Sequence, residues 1–123
     1  MVTEVAQKSG YATTFKVVAA LNALIVLLQA VTAGQLMSGG AGGLHGLGSF
    51  AVHLLGLVLL VAGVLLWRPG RGAGWPALVS AAVLLLGFVQ SAAGGAGAMA
   101  LHVPLAMALF GLSVWLVVWA WRR

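Results

Sequence analysis

The sequence predicts an all-α integral membrane protein, a four-helix up-down-up-down bundle, and three observations carry that reading. Of the 123 residues 63% are hydrophobic and only 6% are charged, too little polar surface to coat a soluble globule of this size. The apolar residues fall into four runs separated by Gly-, Ser- or Pro-containing breakers, each run near the roughly 20 residues that a hydrocarbon core needs. Finally, Lys8, Lys16, Arg68, Arg71, Arg122 and Arg123 all reach one membrane face when the runs alternate, while the connections on the other face carry no basic residue. That asymmetry puts both termini in the cytoplasm.

The expected spans are about 14–37, 44–67, 75–93 and 100–121, forming one domain over 1–123. A segment with Glu4 and Lys8 precedes the first span, whose apolar run is too long for a signal-peptide core and is read as retained. Ser38-Gly39-Gly40-Ala41-Gly42-Gly43 breaks the helix. Span 2 stops at Arg68-Pro69-Gly70-Arg71-Gly72, a helix-ending turn sequence. Span 3 begins at Trp75, and Gly94-Gly95-Ala96-Gly97-Ala98 leads into span 4. Trp67, Trp75, Trp119 and Trp121 should form an aromatic belt on the cytoplasmic side. Gly34, Gly46, Gly48, Gly56, Gly63, Gly87 and Gly111 supply small residues for close helix packing.

Several classes of function are excluded. There is no cysteine, so the chain makes no disulfide, thiolate metal site or c-type haem attachment. The net charge of +5 is spent on topology, and no nucleic-acid partner is expected. Glu4 is the only acidic residue, which argues against carboxylate acid–base catalysis, a proton-coupled carrier and a di-iron carboxylate site. No independent catalytic activity is expected.

The chemistry left to the chain lies in three histidines and two glutamines. His45 and His102 each fall in the first turn after a non-cytoplasmic loop, on spans 2 and 4, which are diagonal and parallel in such a bundle. Side chains converging from diagonal helices are how four-helix bundles hold cofactors. Two neutral imidazoles on either side of a macrocycle make a bis-histidine axial pair for haem b iron, with Gly46, Gly48 and Ala106 leaving room for the ring. Two histidines lying near water at the membrane interface, or serving a metal or a proton, are the competing readings. His53 lies about 12 Å deeper and turned by about 80° from His45. Counting back along spans 1 and 3 puts Gln29 and Gln90 near its depth, so a His53–Gln29 or His53–Gln90 hydrogen bond is the plain expectation. Contact with a haem edge or a quinone, or a second ligand site, are its alternatives. Asn22, Thr32, Ser80 and Ser113 are expected to bond between helices or to their own backbone, and Met99 and Met107 to fill gaps in the core rather than to ligate metal.

Leu27-Leu28-Gln29-Ala30-Val31-Thr32-Ala33-Gly34 parallels Phe88-Val89-Gln90-Ser91-Ala92-Ala93-Gly94, and Leu-His opens spans 2 and 4, a weak two-hairpin internal repeat. Over about residues 24–115 this pattern resembles one four-helix half of the haem A synthase family, and is similar to a family of small four-span bacterial membrane proteins. The resemblance implies a haem held between His45 and His102, with Gln29 and Gln90 as its neighbours. Those synthases place a glutamate one helical turn before a histidine; this chain has none there, so their oxidation chemistry does not transfer. Nor does any basic residue stand on the histidine side to meet haem propionates, leaving water, loop N–H groups or a partner to do so.

The expectation is therefore a haem-binding protein of a bacterial cytoplasmic (inner) membrane, transferring electrons or holding haem near the outer face. Its protein partner would be a redox membrane protein or a second copy of the chain. The alternatives are a non-catalytic accessory subunit of a larger membrane complex, and a bundle that binds a quinone or other small molecule in the layer of Gln29, His53 and Gln90.

Overall fold

The computed structural model describes residues 1–123 and contains four α-helices: α1 Val2–Met37, α2 Gly43–Trp67, α3 Trp75–Gly95 and α4 Met99–Trp121. Each is long and apolar enough to cross a membrane, and the chain is a multi-pass membrane protein. At 1.5 Å per residue even the shortest, α3, reaches about 30 Å. Each helix packs on its sequence neighbour and α4 closes back on α1, so that α1 faces α3, and α2 faces α4, only across the diagonal.

The helices end where backbone chemistry provides a stop. At the close of α1, Gly39 takes a left-handed φ of 88° and the Gly40 N–H donates back to Gln35 O at 2.9 Å. A Cβ on Gly40 would sit 2.8 Å from that oxygen, so glycine is required for the chain to fold back so tightly. After α2, Gly70 and Gly72 donate to Leu65 O and Leu66 O at 2.9 and 2.8 Å. After α3, Gly97 takes φ 75° and Ala98 donates to Ala93 O at 2.8 Å.

Two expectations change. Helix α1 begins at Val2 rather than near residue 14. Nothing before Tyr11 breaks a helix except Gly10, and Glu4 and Lys8 form an i,i+4 ion pair at 3.1 Å that supports the added turns. The glycines also divide. A Cβ on Gly63 would lie 3.0 Å from Ala77 Cα, and one on Gly56 3.3 Å from the Leu84 side chain, so these do let α2 and α3 approach. Gly34, Gly46 and Gly111 have nothing within 4 Å and mediate no helix contact.

The interior is unequal along its length. Phe15, Val18, Ala19, Leu59, Ala62, Leu66, Leu116 and Ala120 form one dry cluster at the end of the bundle that carries the basic residues. There Trp75 stacks on Trp115 with ring centroids 4.8 Å apart and meets Trp119 edge-on, while Trp119 meets Phe15 in the same way. Trp75 and Trp119 thus belong partly to the core, whereas Trp67 and Trp121 face outward as belt residues do. Midway, Asn22 Nδ2 donates to Ser113 Oγ at 3.0 Å, and Ser113 and Ser80 donate to the carbonyls one turn back. Toward the other end no aliphatic side chain of α1 beyond Val26, of α2 before Val52 or of α4 before Leu109 is fully buried. That half is filled by the histidines and glutamines. Met99 and Met107 are exposed on its outside and fill no core gap.

Candidate functional site

Helices α2 and α4 both begin at the histidine end, and neither has a side-chain cap, so the positive ends of two helix dipoles collect there, with unpaired N–H groups at the start of α2; in α4 the Met99 and Leu101 N–H groups donate to Gly97 O and Ala98 O. From their first turns His45 and His102 project toward each other across the diagonal, with ring centroids 6.1 Å apart and planes at 73°. Both are half-buried.

The hydrogen bonds around each ring assign its tautomer. The carbonyl of Gln90 lies 2.8 Å from His102 Nδ1. A carbonyl only accepts, so Nδ1 carries the proton and Nε2 presents its lone pair, to which the Gln90 amide Nε2 donates at 3.3 Å. Around His45 the proton is placed through a hydroxyl. Thr32 Oγ1 donates its single hydrogen to Gln29, whose backbone O and Oε1 lie at 3.1 and 3.0 Å. While that hydrogen is so used, Thr32 Oγ1 meets His45 Nδ1, 3.0 Å away, as an acceptor, the arrangement in which Nδ1 carries the proton and Nε2, which has no hydrogen-bond partner, presents its lone pair. Gln29 completes the network by donating from Nε2 to His45 O at 3.1 Å.

Two glycines make these contacts sterically possible. A Cβ on Gly94 would stand 2.6 Å from His102 Cε1 and Nδ1. A Cβ on Gly48 would overlap the Gln29 amide. Gly48, expected to leave room for a bound ring, instead gives its space to Gln29.

The expected layer of His53 with Gln29 and Gln90 does not form. Gln29 and Gln90 bond to His45 and His102, while His53 Nε2 pairs with Ser91 Oγ at 3.1 Å and its ring stacks on Phe88 at 4.3 Å. The reason is register. The tight turn after α1 folds α2 back so that His45 lies level with Thr32, and His53 consequently falls well past Gln29 toward the middle of the bundle. On α3, Gln90 and Ser91 are about 100° apart around the axis, so Gln90 faces α4 while Ser91 faces α2. His53 is thus separated from the His45–His102 pair.

Thr32, Ser91 and Gly94 had not been assigned these parts from the sequence. Thr32 lies three residues after Gln29 and Gly94 four after Gln90, spacings that put each on one helix face with its glutamine; that signal was present in the sequence. No family model matches the chain, and no curated protein or solved structure matches it.

At the opposite end Glu4 Oε1 bonds Lys8 Nζ at 3.1 Å and Arg71 Nη1 at 3.2 Å. This carboxyl lies outside the membrane-crossing part of α1. The hydrogen bond from Lys8, then the Lys8 and Arg71 charges, hold its pKa below the ordinary carboxylate value.

Proposed function

We propose that this protein binds one b-type haem through His45 and His102 at the non-cytoplasmic face of a bacterial cytoplasmic membrane, and that it transfers electrons or holds the haem there. The carrying observation is the facing pair of imidazoles, with ring centroids 6.1 Å apart and each Nδ1 bonded within the protein; His45 Nε2 has no partner, and His102 Nε2 has only the 3.3 Å contact from Gln90 Nε2. The donor set, two imidazoles facing each other across the diagonal with no third ligating side chain, supports a bis-histidine haem iron. A bound haem would supply one-electron chemistry.

The chain's own residues do the remaining work. Gln90 O and Thr32 Oγ1 hold the imidazole tautomers, the outer-shell role that fixes ring orientation and raises ligand basicity. Were His102 to hold the iron, its Nε2 would do so in place of the 3.3 Å contact from Gln90 Nε2. The uncapped start of α2 offers N–H donors to carboxylates where no basic side chain stands. The Gln–His pairing within each hairpin, Gln29 with His45 and Gln90 with His102, supports a two-hairpin repeat and the resemblance to half a haem A synthase. The gathering of basic residues at the other end supports cytoplasmic termini.

The test is an absorption spectrum of the purified full chain, as isolated and after addition of haemin. A bis-histidine haem spectrum at one equivalent, abolished by His45→Ala and by His102→Ala but retained in His53→Ala, is expected. A wild-type protein that stays colourless with added haemin refutes the proposal.

A further inference from the structure

At the basic end, a cleft of about 500 Å³ opens between the first turns of α1 and the α2–α3 turn. Its walls include Glu4, Lys8, Tyr11, Trp67, Arg68 and Arg71. Three cations face one carboxylate, the only one in the chain. Glu4 is shared between Lys8 and Arg71, and Arg68 has no anionic partner; its guanidinium lies over the Trp67 ring at 5.0 Å. The cleft therefore holds an excess of positive charge that nothing in the protein neutralises.

Arg71 sharpens the point. It sits at φ 55°, a left-handed conformation that glycine or asparagine adopts more readily, and it is flanked by Gly70 and Gly72. That conformation turns the Arg71 side chain to the cleft, where it meets Glu4. Trp67, half-exposed, is the residue type that settles at the headgroup level of a bilayer. The cleft thus combines the size of a small-molecule site, uncompensated guanidinium charge and a position at the lipid surface.

We propose that this cleft binds the phosphate headgroup of an anionic phospholipid, with Arg68 and Arg71 as the phosphate donors, Lys8 as a further cation and Trp67 against the glycerol and upper acyl region. Guanidinium groups suit this task because their forked donors match phosphate oxygens. Glu4 tunes the site: its carboxylate competes with the phosphate for Lys8 and Arg71, so removing its charge strengthens binding. The site is independent of the histidines.

The experiment is native mass spectrometry of the full chain in detergent with equal amounts of phosphatidylglycerol and phosphatidylcholine. Wild type should retain phosphatidylglycerol preferentially. Arg68→Gln and Arg71→Gly should each lower that preference about fivefold, the weight of one basic residue at an anionic surface, and Glu4→Gln should raise it. Arg71→Gly relieves the backbone, so a loss in that variant is not a folding defect. Equal retention of the two lipids by wild type, or a preference unchanged in both arginine variants, overturns the proposal. Displacement of the bound lipid by millimolar glycerol 3-phosphate would assign the site to soluble phosphate esters and overturn the lipid as its source; failure to displace supports it.

Discussion

Replacing Gly94 by alanine, with Gly95→Ala as its partner, tests the geometry around His102 directly. Both residues end α3, both are helical, and neither has a positive φ. A methyl at Gly95 meets nothing within 4 Å, whereas a methyl at Gly94 would sit 2.6 Å from His102 Cε1 and Nδ1. The ring must swing away and give up the 2.8 Å bond to Gln90 O. Loss of that hydrogen bond costs about 0.5–1.5 kcal/mol, and forcing a methyl into filled space costs roughly 1–3 kcal/mol. Against this, alanine gains about 0.5–1 kcal/mol over glycine inside a helix. Gly94→Ala should therefore destabilise by about 1–3 kcal/mol, and Gly95→Ala should be neutral or slightly stabilising. Denaturant unfolding in detergent, followed by tryptophan fluorescence, measures the difference. The freed imidazole no longer has its proton fixed, so Gly94→Ala should also weaken haem uptake by about 10- to 100-fold, the usual effect of losing an outer-shell partner. Two variants indistinguishable in both stability and haem uptake would refute the assigned network.

Thr32→Val removes the acceptor for His45 Nδ1 with little change of shape; it should keep the fold, cost about 1 kcal/mol, and shift the reduction potential of the haem-loaded protein, read by spectroelectrochemistry. Gly63→Ala would press a methyl against Ala77 backbone atoms at 3.0 and 3.3 Å and should destabilise by about 1–3 kcal/mol, while Gly111→Ala, with nothing within 4 Å, should stabilise by up to about 1 kcal/mol; the same unfolding assay separates them. Glu4 has a lowered pKa in the folded state, so its tie to Lys8 and Arg71 is fully present above the ordinary carboxylate pKa and is lost as pH falls through the depressed value. Spin labels on the first turn of α1 and on the α2–α3 turn should report their separation only on that acidic side in the wild type, and at every pH in Glu4→Gln.

The four helices and their order were legible because membrane burial imposes a composition and a length, and because Gly- and Pro-rich breakers are local signals. The meeting of His45 with His102 followed from topology, since equal positions after two equivalent loops place residues at one depth. The partners of the glutamines were not legible. They depend on how far α2 folds back along α1, and that offset is set by the bond from Gly40 to Gln35 O rather than by span length. An error of a few residues in that offset moved Gln29 from His53 to His45. Gly48 was misread for a related reason: an absent side chain marks a close approach, but the sequence does not name what approaches. The first turns of α1 lie outside the expected span because hydropathy reports apolar residues and not the helix, which the Glu4–Lys8 ion pair helps to continue toward its N-terminus.

The contrast between the two halves of the bundle has a consequence for assembly. The aliphatic half closes around Phe15, Leu59 and Leu116 and holds the largest buried cluster, whereas the polar half is joined chiefly by a few side-chain hydrogen bonds, each worth about 1 kcal/mol. Helix ends bound so weakly separate at far lower free energy than the whole molecule unfolds. On the proposed reading, the histidine end would part to admit the haem while the opposite end keeps the four helices in register, and a haem held by both imidazoles would turn the frayed end into the stiffer one. Insertion after folding, from the side facing away from the basic termini, is the order of events that reading favours.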